Sequence, residues 1–175
     1  LANNAATDHG GGMFVDNSLA ILTFVSLTGN EAGSNGGGIY LNTGSQSPTL
    51  THVYVGENFA ASGAGIYITG SFAPTLSNVA VAANTAYTHG GGIYIDDCSP
   101  MWSNVIVFDN SARDGGGIYV DDVTATLSCI ALYRNSADNG GGVFFDASSP
   151  TLNNVVLAGN SASVAGGGIF FQSTP

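Results

Sequence analysis

The stretch Gly36-Gly37-Gly38-Ile39-Tyr40 decides the fold of this chain, because it recurs along the whole sequence. The same five residues stand at 90–94 and 115–119, and close variants stand at 10–14, 63–67, 140–144 and 166–170. Seven occurrences in 175 residues define an internal repeat. Fixed periods of roughly 20–50 residues indicate solenoids, propellers or repeat arrays.

Asparagine is a second marker of the repeat, and it precedes each glycine block by five or six residues. Consecutive members are 25 to 28 positions apart: Asn4, Asn30, Asn58, Asn84, Asn110, Asn135 and Asn160. Between the markers, apolar residues alternate with period two over short runs, which is typical of strands. No window has the periodicity of a useful amphipathic helix.

Three short strands in each repeat of about 25 residues predict an all-β fold, a single-stranded right-handed parallel β-helix. We expect about seven coils of 25–28 residues in one domain, 1–175, without a cap at either end. Equivalent residues of successive coils would lie about 4.8 Å apart. The asparagines are then expected to form an internal amide ladder, each bonding its neighbours and capping turns.

A shorter amide ladder is expected at a bend of the coil, where Asn78, Asn104 and Asn154 share one position. Cys129 occupies the same position and interrupts this ladder, and His52 is expected to be a bend residue there. Cys98 lies in a neighbouring coil but at a different position, so a disulfide with Cys129 is not expected.

Alternation along the glycine-containing strand predicts which side chains leave the core. If Ile39 and Leu41 point inward, Tyr40 points outward, and Gly38 is expected to face outward beside it. The equivalent residues form an outward aromatic column: Phe14, Tyr40, Tyr67, Tyr94, Tyr119, Phe144 and Phe170. Ring stacking along the ladder is one explanation of this column. The other is an exposed interface or ligand strip, for which a second protein chain is favoured over a neutral sugar.

Acidic residues cluster in the turn that follows this strand. The candidates for a metal site are Asp96, Asp97, Asp121, Asp122 and Asp146. Like carboxylates about 5 Å apart repel one another, and a hard cation such as Ca²⁺ would relieve the repulsion. A solvated acidic turn without a cation is the alternative, and no other cofactor is expected.

The charge balance excludes some partners. The net charge is −10, and the only basic residues other than histidine are Arg113 and Arg134. Binding to nucleic acid needs a basic footprint, so it is not expected. No apolar run approaches the roughly 20 residues of a membrane-spanning helix, so membrane insertion is not expected either.

Candidate catalytic side chains are few. His89 and Asp114 share a column and could touch, but no nucleophile accompanies them, so a structural contact is favoured over catalysis. Arg134 is expected to pair with Asp109. Polysaccharide lyases and hydrolases with this fold are the enzymatic alternative, although those that act on acidic sugars need basic residues that this chain lacks.

The repeated Gly-Gly-(Ala/Gly)-(Ile/Leu) blocks alternate with an apolar-x-x-Asn motif, as in Leu27-x-x-Asn30 and Val107-x-x-Asn110. This pattern resembles the repeats of the chlamydial polymorphic outer-membrane proteins and related bacterial surface β-helices. The chain departs from that pattern by carrying Val or Leu where the family usually has Phe. The resemblance implies an extracellular or surface-displayed stalk, often adhesive.

Together these features predict a non-enzymatic extracellular β-helix with a structural or adhesive role. Self-association is expected through the open coil ends or the aromatic column, as a stalk segment or a head-to-tail filament. A host surface or a neutral glycan is a further expected partner. A glycan-binding or polysaccharide-processing β-helix, using the tyrosines and turn aspartates, is the alternative.

Overall fold

The computed structural model of the chain describes residues 1–121 and 124–172. Those residues form a parallel β-solenoid of about six turns and contain no helix. No helix long and apolar enough to cross a membrane therefore occurs among them. Asp122 and the segment 173–175 lie outside the described residues.

The strands are short, and their bounds follow the repeat. In chain order they are β1 (Ala5–Ala6), β2 (Met13–Asp16), β3 (Ile21–Thr23), β4 (Ser26–Thr28), β5 (Glu31–Ala32), β6 (Ile39–Asn42), β7 (Thr49–Thr51), β8 (Tyr54–Gly56), β9 (Phe59–Ser62), β10 (Ile66–Thr69), β11 (Thr75–Ala82), β12 (Thr85–His89), β13 (Ile93–Asp96), β14 (Met101–Phe108), β15 (Ile118–Asp121), β16 (Thr126–Tyr133), β17 (Ser136–Asn139), β18 (Val143–Asp146), β19 (Thr151–Ala158), β20 (Ser161–Ala165) and β21 (Ile169–Gln172).

Three parallel faces run along the solenoid. The first is a seven-stranded sheet in the order β2-β6-β10-β13-β15-β18-β21. The second contains eight strands, with β3, β7, β11, β14, β16 and β19 on its main path and β4 and β8 paired beside them. The third consists of the sheets β1-β5-β9-β12 and β17-β20, linked by isolated bridges at Ser111.

The register confirms the columns expected from the sequence. Ile66 pairs with Ile39 on one side and with Ile93 on the other, and Tyr67 pairs with Tyr40 and Tyr94. The inward-facing aliphatic side chains of the first two faces form one continuous core, in which most members are fully buried. A smaller core of alanines lines the third face.

Bends at non-glycine residues with left-handed backbone give each coil its shape. The eight-residue strands β11, β14, β16 and β19 are each bent at such a residue, namely Asn78, Asn104, Cys129 and Asn154, all with φ of 52°. His52 has the same conformation, with φ of 54°, which confirms that it is a bend residue. Left-handed backbone is uncommon for residues other than glycine, and asparagine tolerates it best.

Candidate functional site

The asparagine ladder is buried at the corner between the second and third faces. Asn58, Asn84 and Asn110 have no exposed surface. In Asn84, the Nδ2 amide donates to Oδ1 of Asn110 at 2.9 Å and to the carbonyl oxygen of Val55 at 3.1 Å. The backbone N–H of Asn84 donates to the same Oδ1 at 2.9 Å. Each amide thus bonds the next coil and caps a strand end, as expected from the sequence.

The third glycine of each of the first six blocks faces this ladder. A Cβ added to Gly92 would lie 2.6 Å from the carbonyl oxygen of Gly117 and 2.8 Å from a methyl group of Val107. The expectation that these glycines face outward is therefore wrong. The chain bends at the block, so the strict alternation of a strand does not apply there, and the glycine leaves room for the buried amides.

The aromatic column stacks on the opposite side of the same strands. Neighbouring rings are close to parallel, as in Tyr67 and Tyr94, whose centroids lie 4.6 Å apart with planes inclined by 10°. Tyr94 and Tyr119 follow at 5.0 Å, and Tyr119 and Phe144 at 4.9 Å. The rings pack in a cluster of their own, separate from the main core.

The expectation that the whole column is exposed is wrong. Tyr94, Tyr119 and Phe144 are buried, whereas Phe14 at one end is 53% exposed. The first glycine of each block has left-handed backbone, as at Gly90 with φ of 63°. This turn brings the preceding residues beside the rings, so that His89 lies 4.6 Å from Tyr119 between centroids. An interface or ligand role for the column remains a prediction.

The aspartates on the other flank of the rings accept hydrogen bonds from them. The hydroxyl of Tyr94 donates to Asp121 at 2.6 Å, and that of Tyr119 donates to Asp146 at 2.8 Å. The hydroxyl of Thr69 donates to Asp96 at 3.0 Å. Burial and the neighbouring carboxylates raise the pKa of Tyr94 and Tyr119 above the ordinary value, so both phenols stay protonated as donors.

The same aspartates were expected to form a calcium site. Asp96, Asp121 and Asp146 lie in register in adjacent strands, and Asp97 follows with left-handed backbone. Asp122 is not among the described residues. Within the described ranges, no group of three or more metal-binding side chains occurs. One oxygen of each of these carboxylates accepts from a hydroxyl group, whereas Oδ1 of Asp146 is buried without a hydrogen-bond partner among the described residues. A calcium ion at this column stays a prediction.

A polar cluster covers the aromatic column where His89 and Asp114 face each other. His89 Nε2 lies 3.7 Å from Asp114 Oδ2 and 3.1 Å from Arg113 Nη2. Arg113 Nε and Asn139 Nδ2 both donate to Asp114, at 3.1 and 2.9 Å. Burial lowers the pKa of His89 below its ordinary value against the opposing effect of Asp114. The neutral imidazole can accept from Arg113, so the contact stabilises this surface.

The ion pair that the sequence predicts between Arg134 and Asp109 is confirmed. Arg134 makes a bidentate ion pair with Asp109, with bonds of 2.8 and 2.7 Å. Both cysteines are free. Cys98 is buried, and that burial together with Asp96 raises the pKa of its thiol to about 12.

One surface feature was not predicted, a groove on the outer side of the second face. We refer to it as the outer groove, and its volume is about 500 Å³. It is lined by Ser103, Asn104, Val105, Ile106, Cys129, Ile130, Ala131, Tyr133, Asn154 and Val156. The sequence signal that could have located it is Cys129, which interrupts the shorter amide ladder and lines this groove.

Comparison with known proteins identifies the family. A model of the right-handed β-helix region matches residues 1–128 and 55–174, which together span almost the whole chain. The chain therefore belongs to the right-handed β-helix family, in agreement with the predicted fold. No curated protein and no solved structure matches it. The family includes both pectate lyase-like enzymes and proteins without enzymatic activity, so membership alone does not assign a reaction.

Proposed function

We propose that this chain is a non-enzymatic β-helix with a structural and adhesive role outside the cell, and that coils of separate copies stack end to end. The main support for a structural role is that the polar side chains form hydrogen bonds from one coil to the next. Asparagines bond asparagines of the next coil, and tyrosine hydroxyls bond aspartates of the next coil. Side chains that would otherwise be candidates for chemistry thus hold successive coils together.

The resemblance to chlamydial polymorphic outer-membrane repeats supports a surface location. The charge pattern agrees with exposure to extracellular proteases, because Arg113 and Arg134 are the only residues that trypsin-like enzymes recognise. Both arginines are held in ion pairs. A rigid rod with few cleavage sites suits a stalk.

The glycine column supplies a test of end-to-end stacking. A Cβ added to Gly142 would lie 2.5 Å from the carbonyl oxygen of Gly168 in the next coil. A Cβ added to Gly168 meets no atom within 4 Å. The substitution Gly168→Ala therefore fits the single chain, but it would collide with any further coil that stacks on β21 in the same register.

Light scattering and negative-stain electron microscopy over a range of protein concentrations test the proposal. We expect wild-type rods that lengthen with concentration and a Gly168→Ala variant that stays monomeric with an unchanged unfolding midpoint. Gly142→Ala is the matched control, and it should lower the midpoint because its methyl group has no room. If the wild-type protein stays monomeric at every concentration, the proposal of self-assembly is refuted.

A further inference from the structure

Two columns of hydroxyl-bearing side chains lie on the outer side of the second face, on the part of each strand that precedes the bend. Strand β7 carries Thr49 and Thr51 on either side of the buried Leu50. Because side chains alternate along a strand, both threonines point outward. We refer to the two columns together as the hydroxyl face. Its members are Thr23, Thr49, Thr51, Thr75, Ser77, Ser103, Thr126, Ser128 and Thr151.

Backbone pairing holds these hydroxyl groups in a regular array. Thr75 is paired with Thr49, and Ser77 with Thr51. Neighbouring strands lie about 4.8 Å apart, and two residues along one strand span about 6.6 Å. The array therefore repeats at about 4.8 Å along the solenoid axis and at about 6.6 Å across it. Flat sheets are typical where side chains stack in ladders, as the buried asparagines of this chain do.

The hydroxyl face is uncharged and open to water. All of its members are exposed or half-buried. Among the described residues, the hydroxyl groups of the threonines at 49, 75, 126 and 151 have no hydrogen-bond partner. No charged residue occurs in either column, although the chain has a net charge of −10. The face is therefore complementary to a neutral surface that offers hydrogen-bond donors and acceptors.

The two repeats of the array favour a crystalline ligand. A flexible polymer has no fixed repeat in two directions, and an ionic crystal would be matched by charged side chains, which this face lacks. Water oxygens on the prism faces of hexagonal ice repeat in a rectangular grid of similar dimensions. Each hydroxyl group can donate and accept a hydrogen bond, so water bound between the columns can continue an ice lattice with little rearrangement.

We propose that the hydroxyl face binds the surface of ice. This inference goes beyond the proposed function, which leaves open the surface to which the protein adheres. It does not depend on end-to-end stacking. Stacking is measured by light scattering and ice binding by the behaviour of ice crystals, so either proposal can fail while the other stands.

The growth of a single seeded ice crystal in a nanolitre osmometer tests the proposal. We expect thermal hysteresis, an interval below the melting point in which wild-type protein stops the crystal from growing. Ser103→Tyr places a ring in the middle of the array, beside Ser77, and should abolish the hysteresis. Ser136→Tyr is the matched control, because Ser136 is an exposed serine of β17 on the third face. It should behave like the wild type.

Met101 interrupts the array and supplies a test by gain of activity. It is paired with Thr75 and is 57% exposed, at a position where the column would otherwise carry a threonine. Met101→Thr adds the missing hydroxyl group and should widen the hysteresis interval. Met101→Leu keeps an apolar side chain there and should leave the interval unchanged.

Unfolding midpoints of all variants confirm that the solenoid is intact. The proposal is overturned if the wild type shows no hysteresis, or if folded Ser103→Tyr stops crystal growth as well as Ser136→Tyr does. It is also overturned if folded Met101→Thr gives no wider interval than Met101→Leu. A second copy that covers this face would give dimers without hysteresis, which would contradict the proposal as well.

Discussion

Replacing Asn110 with alanine should be among the most destabilising single changes in this chain. Asn110 lies in the middle of the buried ladder and has no exposed surface. Its Nδ2 donates to Asn135 Oδ1 and to the carbonyl oxygen of Val81, both at 3.0 Å. Its Oδ1 accepts from the backbone N–H and from Nδ2 of Asn84, both at 2.9 Å. Alanine removes all four hydrogen bonds.

The expected loss of unfolding free energy depends on which partners of Asn110 remain hydrogen-bonded after the substitution. A buried hydrogen bond contributes about 1 kcal/mol net, and a buried donor or acceptor left without a partner costs about 1–3 kcal/mol. Asn135 Oδ1 keeps one donor, the backbone N–H of residue 110. The carbonyl oxygen of Val81 loses this donor, and the backbone N–H and Nδ2 of Asn84 lose their acceptor. Four bonds at about 1 kcal/mol each give a loss of about 4 kcal/mol. That is a large part of the roughly 5–15 kcal/mol that stabilises an ordinary domain.

Urea unfolding followed by circular dichroism measures the effect, with Asn104→Ala as the matched control. Asn104 is an exposed asparagine with left-handed backbone whose side chain makes one inter-coil bond. Its replacement should cost about 1–2 kcal/mol, from the lost bond and from alanine's poorer tolerance of that backbone, which is well below the loss expected for Asn110→Ala. A buried and an exposed amide are thereby compared under the same substitution. If the free energy of unfolding falls by similar amounts in both variants, the reasoning that the ladder carries stability is refuted.

Two other predictions concern the surface over the aromatic rings. Burial lowers the pKa of His89 below 6.5, so as the pH falls the unfolded chain binds a proton at this residue at a higher pH than the folded chain does. Acidification from about pH 7 to about pH 5 should therefore reduce the stability of the fold. His89→Gln should show a smaller fall in its urea midpoint, and an equal fall would contradict the assignment. Tyr119→Phe keeps the stacked ring but removes the 2.8 Å bond to Asp146. It should lower the free energy of unfolding by about 2 kcal/mol, and an unchanged midpoint would contradict this.

The sequence predicted the columns because stacking makes equivalent residues of each coil similar. Ile39, Ile66 and Ile93 are in register in the structure, and the alternation of Ile and Tyr placed them on opposite sides of the strand. The pairing of Arg134 with Asp109 followed from their equivalent positions in adjacent coils. The regular spacing of the repeat was enough to predict the columns and this ion pair, because neither prediction depends on the path of a turn.

Predictions failed where the path of a turn decides the outcome. The left-handed φ of Gly90 folds the chain back beside the rings, so Tyr94 is buried although it points away from the main core. Gly92 lies in the same bend and faces the amides instead of solvent. A repeat marks both positions as constant, but it does not specify the direction in which the backbone turns.

The buried asparagine ladder also gives the rod a direction. Six amide-to-amide links run the same way, with Nδ2 donating to Oδ1 of the higher-numbered coil, from Asn4 to Asn30 and onward to Asn135 and Asn160. Each linked Oδ1 therefore accepts from the lower-numbered side, as in Asn110, which accepts from Asn84. Two copies joined by like ends would set donor against donor or acceptor against acceptor. Any assembly that continues the ladder must therefore be polar, with two chemically different tips.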